Sequence, residues 1–209
     1  MSALRDGVAM LPPVSAEDRV RADLYAMVAR LFASAPDAAF LRLLGSAPEL
    51  PEEPGAALPA SYNTLVRASR AMDADAATQE YTDLFVGVGK SEVNLHGSHW
   101  ISGFMMDKPL AELRDALAEM GIERREGAEL LEDHLAAVAE VMRLLIVGGE
   151  GRPPAPIEVQ RRFFETRIAP WAFRCCSAIS VSPLANYYRC ASQFVQAFLA
   201  IERDALAMD

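Results

Sequence analysis

Apolar residues recur at helical spacing along this sequence, and no segment shows the period-two alternation that predicts a half-buried β-strand. Between Ser15 and Ala33 the apolar positions fall three and four residues apart, and serine is a residue type that caps helices. Alanine, the strongest helix former, accounts for 36 of the 209 residues. These features predict an all-α protein, a single-domain bundle of about eight to ten helices.

Glycine, proline and capping residues divide the chain into the expected helices. Their predicted ranges are 15–33, 37–44, 62–72, 75–86, 107–121, 128–147, 157–168, 169–179 and 183–207, the last of which Ser182 caps. The glycine-containing stretch 87–103 is expected to be a loop with at least one helical turn. Residues 1–14 are expected to form a flexible N-terminus, and residues 15–209 a helical domain with proline-rich linkers near 47–61 and 148–156.

The charge balance and the cysteines argue against several classes of protein. Acidic residues outnumber basic residues by 29 to 20, and the net charge of −9 disfavours a DNA-binding regulator, whose affinity would depend on lysine and arginine. The sequence has no targeting segment and no apolar run of the roughly 20 residues that a membrane span requires, so no membrane insertion is expected. Cys175, Cys176 and Cys190 form no disulfide framework and no C-x-x-C, which favours the reducing cytoplasm.

The three histidines offer a weak signal for chemistry. His96 and His99 stand three residues apart, a spacing at which two imidazoles on a helix can meet one metal ion, and His134 lies elsewhere. One interpretation is therefore a helical small-ligand or metal-binding regulator that uses these three residues. No G-x-S-x-G and no other pairing of nucleophile and base occurs, so we expect neither enzymatic activity nor a bound cofactor.

The sequence Glu132-Asp133-His134 opens a predicted helix and has two interpretations. In the first, the acids favour the positive end of the helix dipole, and His134 is a core histidine with apolar neighbours one turn away on either side. In the second, an acid and an imidazole stand at the rim of a groove and are available to a basic or polar partner.

From Tyr81 to Gly87 the chain reads Y-T-D-L-F-V-G, which resembles the Y-x-x-L-F-x-G element of the TorD/DmsD family of redox-enzyme maturation chaperones. The family hallmark is an acidic residue, proline, any residue, aspartate and histidine at a helix start. Residues 130–134 are similar to it: the Asp-His pair is present, and Leu130 and Leu131 replace the acidic residue and the proline. The tail is similar to the family pattern F-F-x-x-H-x-x-x-W, with Arg167 in place of the histidine, and the resemblance covers about residues 20–205.

The resemblance implies a TorD-like helical fold and a cytoplasmic chaperone without catalytic activity. Members bind the twin-arginine signal peptide of a molybdenum enzyme and also its folded or apo catalytic subunit. They delay export until the molybdopterin cofactor has been inserted, often for formate dehydrogenase or for reductases of dimethyl sulfoxide or trimethylamine N-oxide. Peptide recognition by the hallmark pair transfers to Asp133 and His134. Some members exchange helices between chains, so a homodimer with its hinge in a proline-rich linker is left open.

A receptor for such a leader should offer an exposed apolar groove beside negative charge, because the leader has a basic start and an apolar stretch. Arginines of the leader would fork onto Glu132 or Asp133. Trp100, with Phe104, Met105 and Met106, is a candidate for the groove, although core packing is the alternative. The full set expected to contact the peptide is Asp133, His134, Glu132, Trp100, Tyr81, Phe85 and His99, and for Tyr81 and Phe85 packing against their own helix is the alternative.

Overall fold

The computed structural model describes residues 14–149 and 151–208 and builds them from ten α-helices. The helices are α1 (Ala16–Ala33), α2 (Ala38–Gly45), α3 (Ala57–Ala71), α4 (Ala74–Tyr81), α5 (Gly97–Ser102), α6 (Lys108–Glu119), α7 (Leu135–Val147), α8 (Ile157–Phe163), α9 (Ala169–Val181) and α10 (Tyr187–Met208). Within this part of the chain the only β-type pairing consists of two isolated bridges, so the predicted all-α bundle is confirmed. Residues 1–13, which hold most of the N-terminus predicted to be flexible, lie outside the described residues.

The first two helices begin where their capping residues predict. The side-chain oxygen of Ser15 accepts a hydrogen bond from the backbone N–H of Asp18 at 3.0 Å, and Asp37 accepts one from the N–H of Phe40 at 2.7 Å. Each cap satisfies an N–H group that has no partner inside its own helix. These contacts are local in sequence, which explains why the starts of both helices were predictable.

Two predicted helices change their hydrogen-bonding pattern before they end. α4 continues into a π-helical turn at Thr82–Val86, and α8 continues into another at Phe164–Ile168. In the second turn the N–H of Ala169 donates to the carbonyl of Phe164, five residues earlier. Pro170 follows at once and has no N–H to continue an α-helical ladder, which favours a local change of pitch. Both turns lie within the motifs that resemble the chaperone family.

The predicted start of α7 near residue 128 is wrong, because the helix begins at Leu135. The residues before it run beside the start of α5 in a short antiparallel pairing. The N–H of Leu135 donates to the carbonyl of Leu95, and the N–H of Gly97 donates to the carbonyl of Asp133, each at 2.8 Å. These long-range hydrogen bonds, together with the extended conformation of His134, keep this segment out of the helix and delay its start by about two turns.

The predicted start of α10 at Pro183 is also wrong, because that helix begins at Tyr187. Its first N–H groups are capped by a carboxylate from α4. The buried Glu80 accepts hydrogen bonds from the backbone N–H groups of Asn186, Tyr187 and Tyr188 at 2.8, 3.0 and 2.8 Å. A capping group more than a hundred residues away in sequence gives no local signal, and the sequence therefore predicts Ser182 as the cap instead.

The core forms where α1 packs along α7, and where α10 packs on α9 and α3. Its largest fully buried side chains are aromatic: Trp171, Tyr25, Tyr187, Tyr188, Phe32, Phe164, Phe194 and Phe198. An ion pair of 2.7 Å between Arg21 and the buried Glu202 ties α1 to α10. Within the described residues, no helix combines the length and apolar character needed to cross a bilayer.

Candidate functional site

An open groove of about 520 Å³ lies between α1, α7 and residues 121–132, which lead into α7. Alanines from both helices form its floor: Ala26, Ala29 and Ala33 from α1, and Ala136 and Ala137 from α7. Larger apolar residues line its walls: Leu117, Ile122, Leu130 and Val141. Because alanine projects only a methyl group, an apolar segment laid in this groove can approach the two helices closely.

Charged residues surround the groove in nearly balanced numbers. Its lining contains four glutamates and three arginines: Glu123, Glu129, Glu132, Glu140, Arg30, Arg124 and Arg125. Several of them are already paired, since Glu132 lies 2.9 Å from Arg114, Arg30 lies 2.8 Å from Asp37, and Glu140 lies 2.8 Å from Arg143. The groove is therefore mainly an apolar site whose edge carries mixed charge.

Of the predicted site residues, Glu132 is the one that lines the groove. Its side chain is largely covered and accepts two hydrogen bonds from the guanidinium group of Arg114 at 3.1 and 2.9 Å. Partial burial alone raises the pKa of Glu132, but the hydrogen bond and the charge of Arg114 outweigh it and lower that pKa. Glu132 is thus a fixed carboxylate at the base of the rim.

Asp133 faces away from solvent and is 3% exposed. Its Oδ2 atom accepts the backbone N–H of Ser98 at 2.8 Å, and its own carbonyl accepts the N–H of Gly97 at the same distance. Asp133 therefore caps the N-terminus of α5 from outside that helix. Asp133 is therefore not at the exposed rim of a groove, where the second interpretation of the sequence placed it.

His134 is also 3% exposed and caps α7 itself. Its Nδ1 atom accepts the N–H of Ala136 at 3.1 Å, and its ring meets the ring of His96 edge to face, with 4.9 Å between centroids. Burial, with a smaller contribution from the neighbouring His96, lowers the pKa of His134 to about 3. The buried interpretation of this histidine agrees with the structure, and the ring is neutral at physiological pH.

Tyr81 and Phe85 belong to an aromatic cluster with Phe32 and Tyr188. The rings of Phe85 and Tyr188 meet edge to face with 4.8 Å between centroids, and the hydroxyl of Tyr81 donates to the carbonyl of Phe32 at 3.2 Å. Neither Tyr81 nor Phe85 lines the groove between α1 and α7. The structure thus places both residues in packing contacts that join the Y-x-x-L-F-x-G segment to α1 and α10.

Trp100 and His99 lie on α5, outside the groove. The Trp100 indole N–H donates to the carbonyl of Asn94 at 2.7 Å, and the ring of His99 lies edge to face against it at 5.7 Å. Beyond α5, Phe104 and Met106 are 71% and 70% exposed. Phe104 and Met106 thus expose apolar surface just after α5, and none of these four side chains lines the groove.

The histidines do not assemble into a metal site in the described part of the chain. His96 and His134 are in contact through their rings, but no group of three or more histidine, cysteine, aspartate or glutamate residues with ligand geometry occurs among the described residues. Burial also lowers the pKa of His96, a shift that the charge of Asp133 partly opposes. The pair is held together by the bridge between the segment before α5 and the segment before α7.

The alanine floor was missed from the sequence. The three alanines of α1 lie at positions 26, 29 and 33, which is the spacing of one helix face, and this was the available signal. Alanine is so frequent in this chain that such a stripe does not stand out. The alanines form a groove floor only because α7 packs beside α1, and no local sequence pattern predicts that packing.

Comparisons with known proteins agree with this fold and with the motifs. The family model described as nitrate reductase delta subunit matches residues 48–177, more than half of the chain. A candidate redox enzyme maturation protein from Archaeoglobus fulgidus has a similar crystal structure, with a TM-score of 0.59 and 15% identity over 86% of this chain and 93% of that one. No curated protein sequence gives a significant match. The predicted TorD/DmsD-type family is confirmed, and the chain belongs to the nitrate reductase delta subunit family.

Proposed function

We propose that this chaperone binds the twin-arginine leader of a molybdenum oxidoreductase, together with the apo form of its catalytic subunit. The complex forms in the cytoplasm and delays export while the molybdopterin cofactor is inserted into the client. Clients of the kind expected are formate dehydrogenase and reductases of the dimethyl sulfoxide or trimethylamine N-oxide type. The chaperone itself holds no cofactor in this scheme. The family match supports the maturation role, and the groove supports the peptide.

The alanine-floored groove is the observation that carries the proposal. An apolar peptide segment buries its side chains when it lies between two helices, and each square ångström of apolar surface removed from water contributes about 25 cal/mol. Small residues on the floor let the backbone of the peptide come close to α1 and α7. A leader whose apolar stretch forms a helix matches such a groove in shape and polarity.

The basic start of the leader would meet the glutamates at the groove edge, with Glu132 nearest to the hallmark pair. Because the edge is exposed and already carries arginines, each added ion pair contributes only about 0–1 kcal/mol. The arginines therefore set the direction and position of the peptide, while apolar contact supplies most of the affinity.

Asp133 and His134 affect leader binding indirectly, because they position the wall of the groove. Asp133 holds the start of α5 through a hydrogen bond of 2.8 Å to the N–H of Ser98, and His134 caps α7 and contacts the ring of His96 just before α5. Helix α7 supplies one side of the groove floor. Residues 121–132 form the opposite wall and run directly into this junction. Loss of the junction would shift the wall, so substitutions there change leader affinity although neither side chain is exposed.

The exposed apolar surface after α5 is assigned to the body of the client. Phe104 and Met106 form its exposed part, and Trp100 and His99 precede it on α5. Tyr81 and Phe85 contribute by packing the preceding segment onto α1 and α10.

A calorimetric titration of the full chain with a twin-arginine leader peptide tests the proposal. Ala137→Leu fills the groove from its floor at a half-buried position and is expected to weaken leader binding by about tenfold or more. Ala111→Leu, on the exposed face of α6 and away from the groove, is the matched control and should leave the affinity unchanged. A leader with both arginines replaced by glutamine should bind more weakly to the wild-type chain.

Equal loss of affinity in both alanine variants would contradict the assignment of the groove. Failure of any twin-arginine leader to bind, together with binding of a client subunit that lacks its leader, would overturn the peptide part and keep the maturation role.

A further inference from the structure

The groove between α1 and α7 leaves a large apolar surface in contact with water. Its volume is about 520 Å³, and its floor and most of its walls are hydrocarbon. Exposure of an apolar surface of this kind is unfavourable, and in soluble proteins such surfaces are usually binding sites. A segment of the same chain that covered the floor between leader-binding events would lower this cost.

The part of the chain that precedes α1 is long enough to reach the groove. Along the axis of α1, Ala26 lies roughly 17 Å and Ala33 roughly 27 Å from Ser15. Extended backbone spans about 3.3 Å per residue, so Val8 can lie up to about 23 Å and Leu4 up to about 36 Å from Ser15. This part of the chain can therefore lie over the alanines of α1, with length left for the chain to reverse direction.

Residues 1–13 also share the order of features expected in a twin-arginine leader. A basic residue, Arg5, comes first, and the apolar stretch 8–11 follows it. Leu4 and Val8 stand four residues apart, which is the spacing by which an amphipathic segment places two apolar side chains into a groove between helices. The segment therefore has the chemistry of a competitor for the leader.

The charges of this segment match the mixed charge at the edge of the groove. Arg5 and Asp6 are adjacent and of opposite sign, so the segment carries one side chain of each charge. The lining of the groove contains four glutamates and three arginines, with Glu123 and Arg124 side by side. A purely basic partner meets repulsion from the arginines, whereas a segment of both signs finds a complementary charge for each of its own.

We propose that residues 1–13 lie in the groove of their own molecule and compete there with the leader. Leu4 and Val8 contact the alanine floor, and Arg5 and Asp6 face the charged edge. A short tether gives such a segment an effective concentration on the order of millimolar, so a leader of higher affinity displaces it. The groove then accepts only leaders that bind more tightly than the segment does. The competition rests on the proposed function, but the contact itself does not.

The double variant Leu4→Ser/Val8→Ser of the full chain tests the contact by NMR of alanine methyl groups, with no leader present. The signals of the alanine floor should move from their wild-type positions. Addition of a synthetic peptide of residues 1–13 to the variant should move them back. Val20→Ser is the matched control, because it removes an exposed apolar side chain from α1 outside the groove lining and should leave the floor signals unchanged.

Three results of the NMR experiment would overturn the proposal. In the first, the floor signals of the double variant coincide with those of the wild-type chain. In the second, Val20→Ser moves the floor signals as much as the double variant does. In the third, the wild-type floor signals move with protein concentration, which would show that the segment lies in the groove of a second copy.

Calorimetric titration with a twin-arginine leader tests the competition separately. The double variant should bind the leader at least about threefold more tightly than the wild-type chain and Val20→Ser do, because the internal competitor has been weakened. Equal affinity in all three chains would refute the competition. If no leader binds while the floor signals respond as expected, the contact is supported and the proposed leader-binding function fails.

Discussion

The buried imidazole of His134 makes the stability of this fold sensitive to acid, and His134→Asn isolates its contribution. In the folded chain the ring accepts a hydrogen bond from Ala136 and must stay neutral to do so. Asparagine is also a favourable helix-capping residue, so the variant retains a cap on α7 and loses the titratable group. The space left by the smaller side chain costs the same free energy at every pH, and it cancels when two pH values are compared.

The magnitude follows from the two pKa values of the ring. Burial lowers the pKa of His134 from 6.5 to about 3 in the folded state. Between these values the unfolded chain binds more protons than the folded chain, so the free energy of unfolding falls as the pH is lowered below 6.5. Each pH unit in that window costs about 1.4 kcal/mol, which gives a loss of about 2 kcal/mol for this residue between pH 7 and pH 5.

Urea unfolding of the wild-type chain and of His134→Asn at pH 7 and pH 5 measures this difference. The wild-type chain should lose about 2 kcal/mol more than the variant on going to pH 5. Ser15→Asn, which exchanges one capping residue for another where no imidazole is present, should match the pH dependence of the wild-type chain. If His134→Asn and the wild-type chain lose the same free energy of unfolding, His134 is not buried as a neutral cap, and the geometry of the junction is wrong.

Two further substitutions test contacts that stabilise the bundle. Glu80→Ala removes the carboxylate that caps α10 and should lower the free energy of unfolding by about 3 kcal/mol, whereas Glu80→Gln, which keeps one acceptor oxygen, should cost less; urea unfolding compares them. Gly97→Ala should lower the thermal unfolding midpoint although alanine is the better helix former, because its Cβ would lie 2.8 Å from Nε1 of the buried Trp171. A higher midpoint for Gly97→Ala would show that Trp171 can move aside.

Local sequence signals were enough for the fold class and for most helices. Caps such as Ser15 and Asp37 act within three residues, so the starts of α1 and α2 could be predicted to within a residue. The starts of α7 and α10 could not, because long-range hydrogen bonds decide them. At α10 the deciding group is Glu80, which belongs to a different helix.

Of the residues predicted to contact the peptide, Glu132 alone lines the candidate groove. The motifs pointed to Glu132, Asp133 and His134 and to aromatic residues, whereas no sequence motif marked the alanines that line the groove. Aromatic residues such as Tyr81 and Phe85 are common at binding interfaces, but in this structure both pack against other aromatic rings. Whether an aromatic side chain packs or binds depends on which helix covers it, and that is a property of tertiary structure.

The hallmark places three consecutive residues in three different surroundings. Glu132 lines the groove between α1 and α7, Asp133 is buried and caps the start of α5, and His134 caps the start of α7. Glu132→Gln should therefore lower leader affinity directly and leave the stability of the fold nearly unchanged, whereas Asp133→Asn and His134→Asn should lower that affinity only through loss of the junction between α5 and α7. Calorimetry with a leader peptide and urea unfolding of all three variants measure this separation. If leader affinity instead falls in all three in proportion to their loss of stability, the hallmark acts only by holding α5 to α7, and the division of roles is refuted.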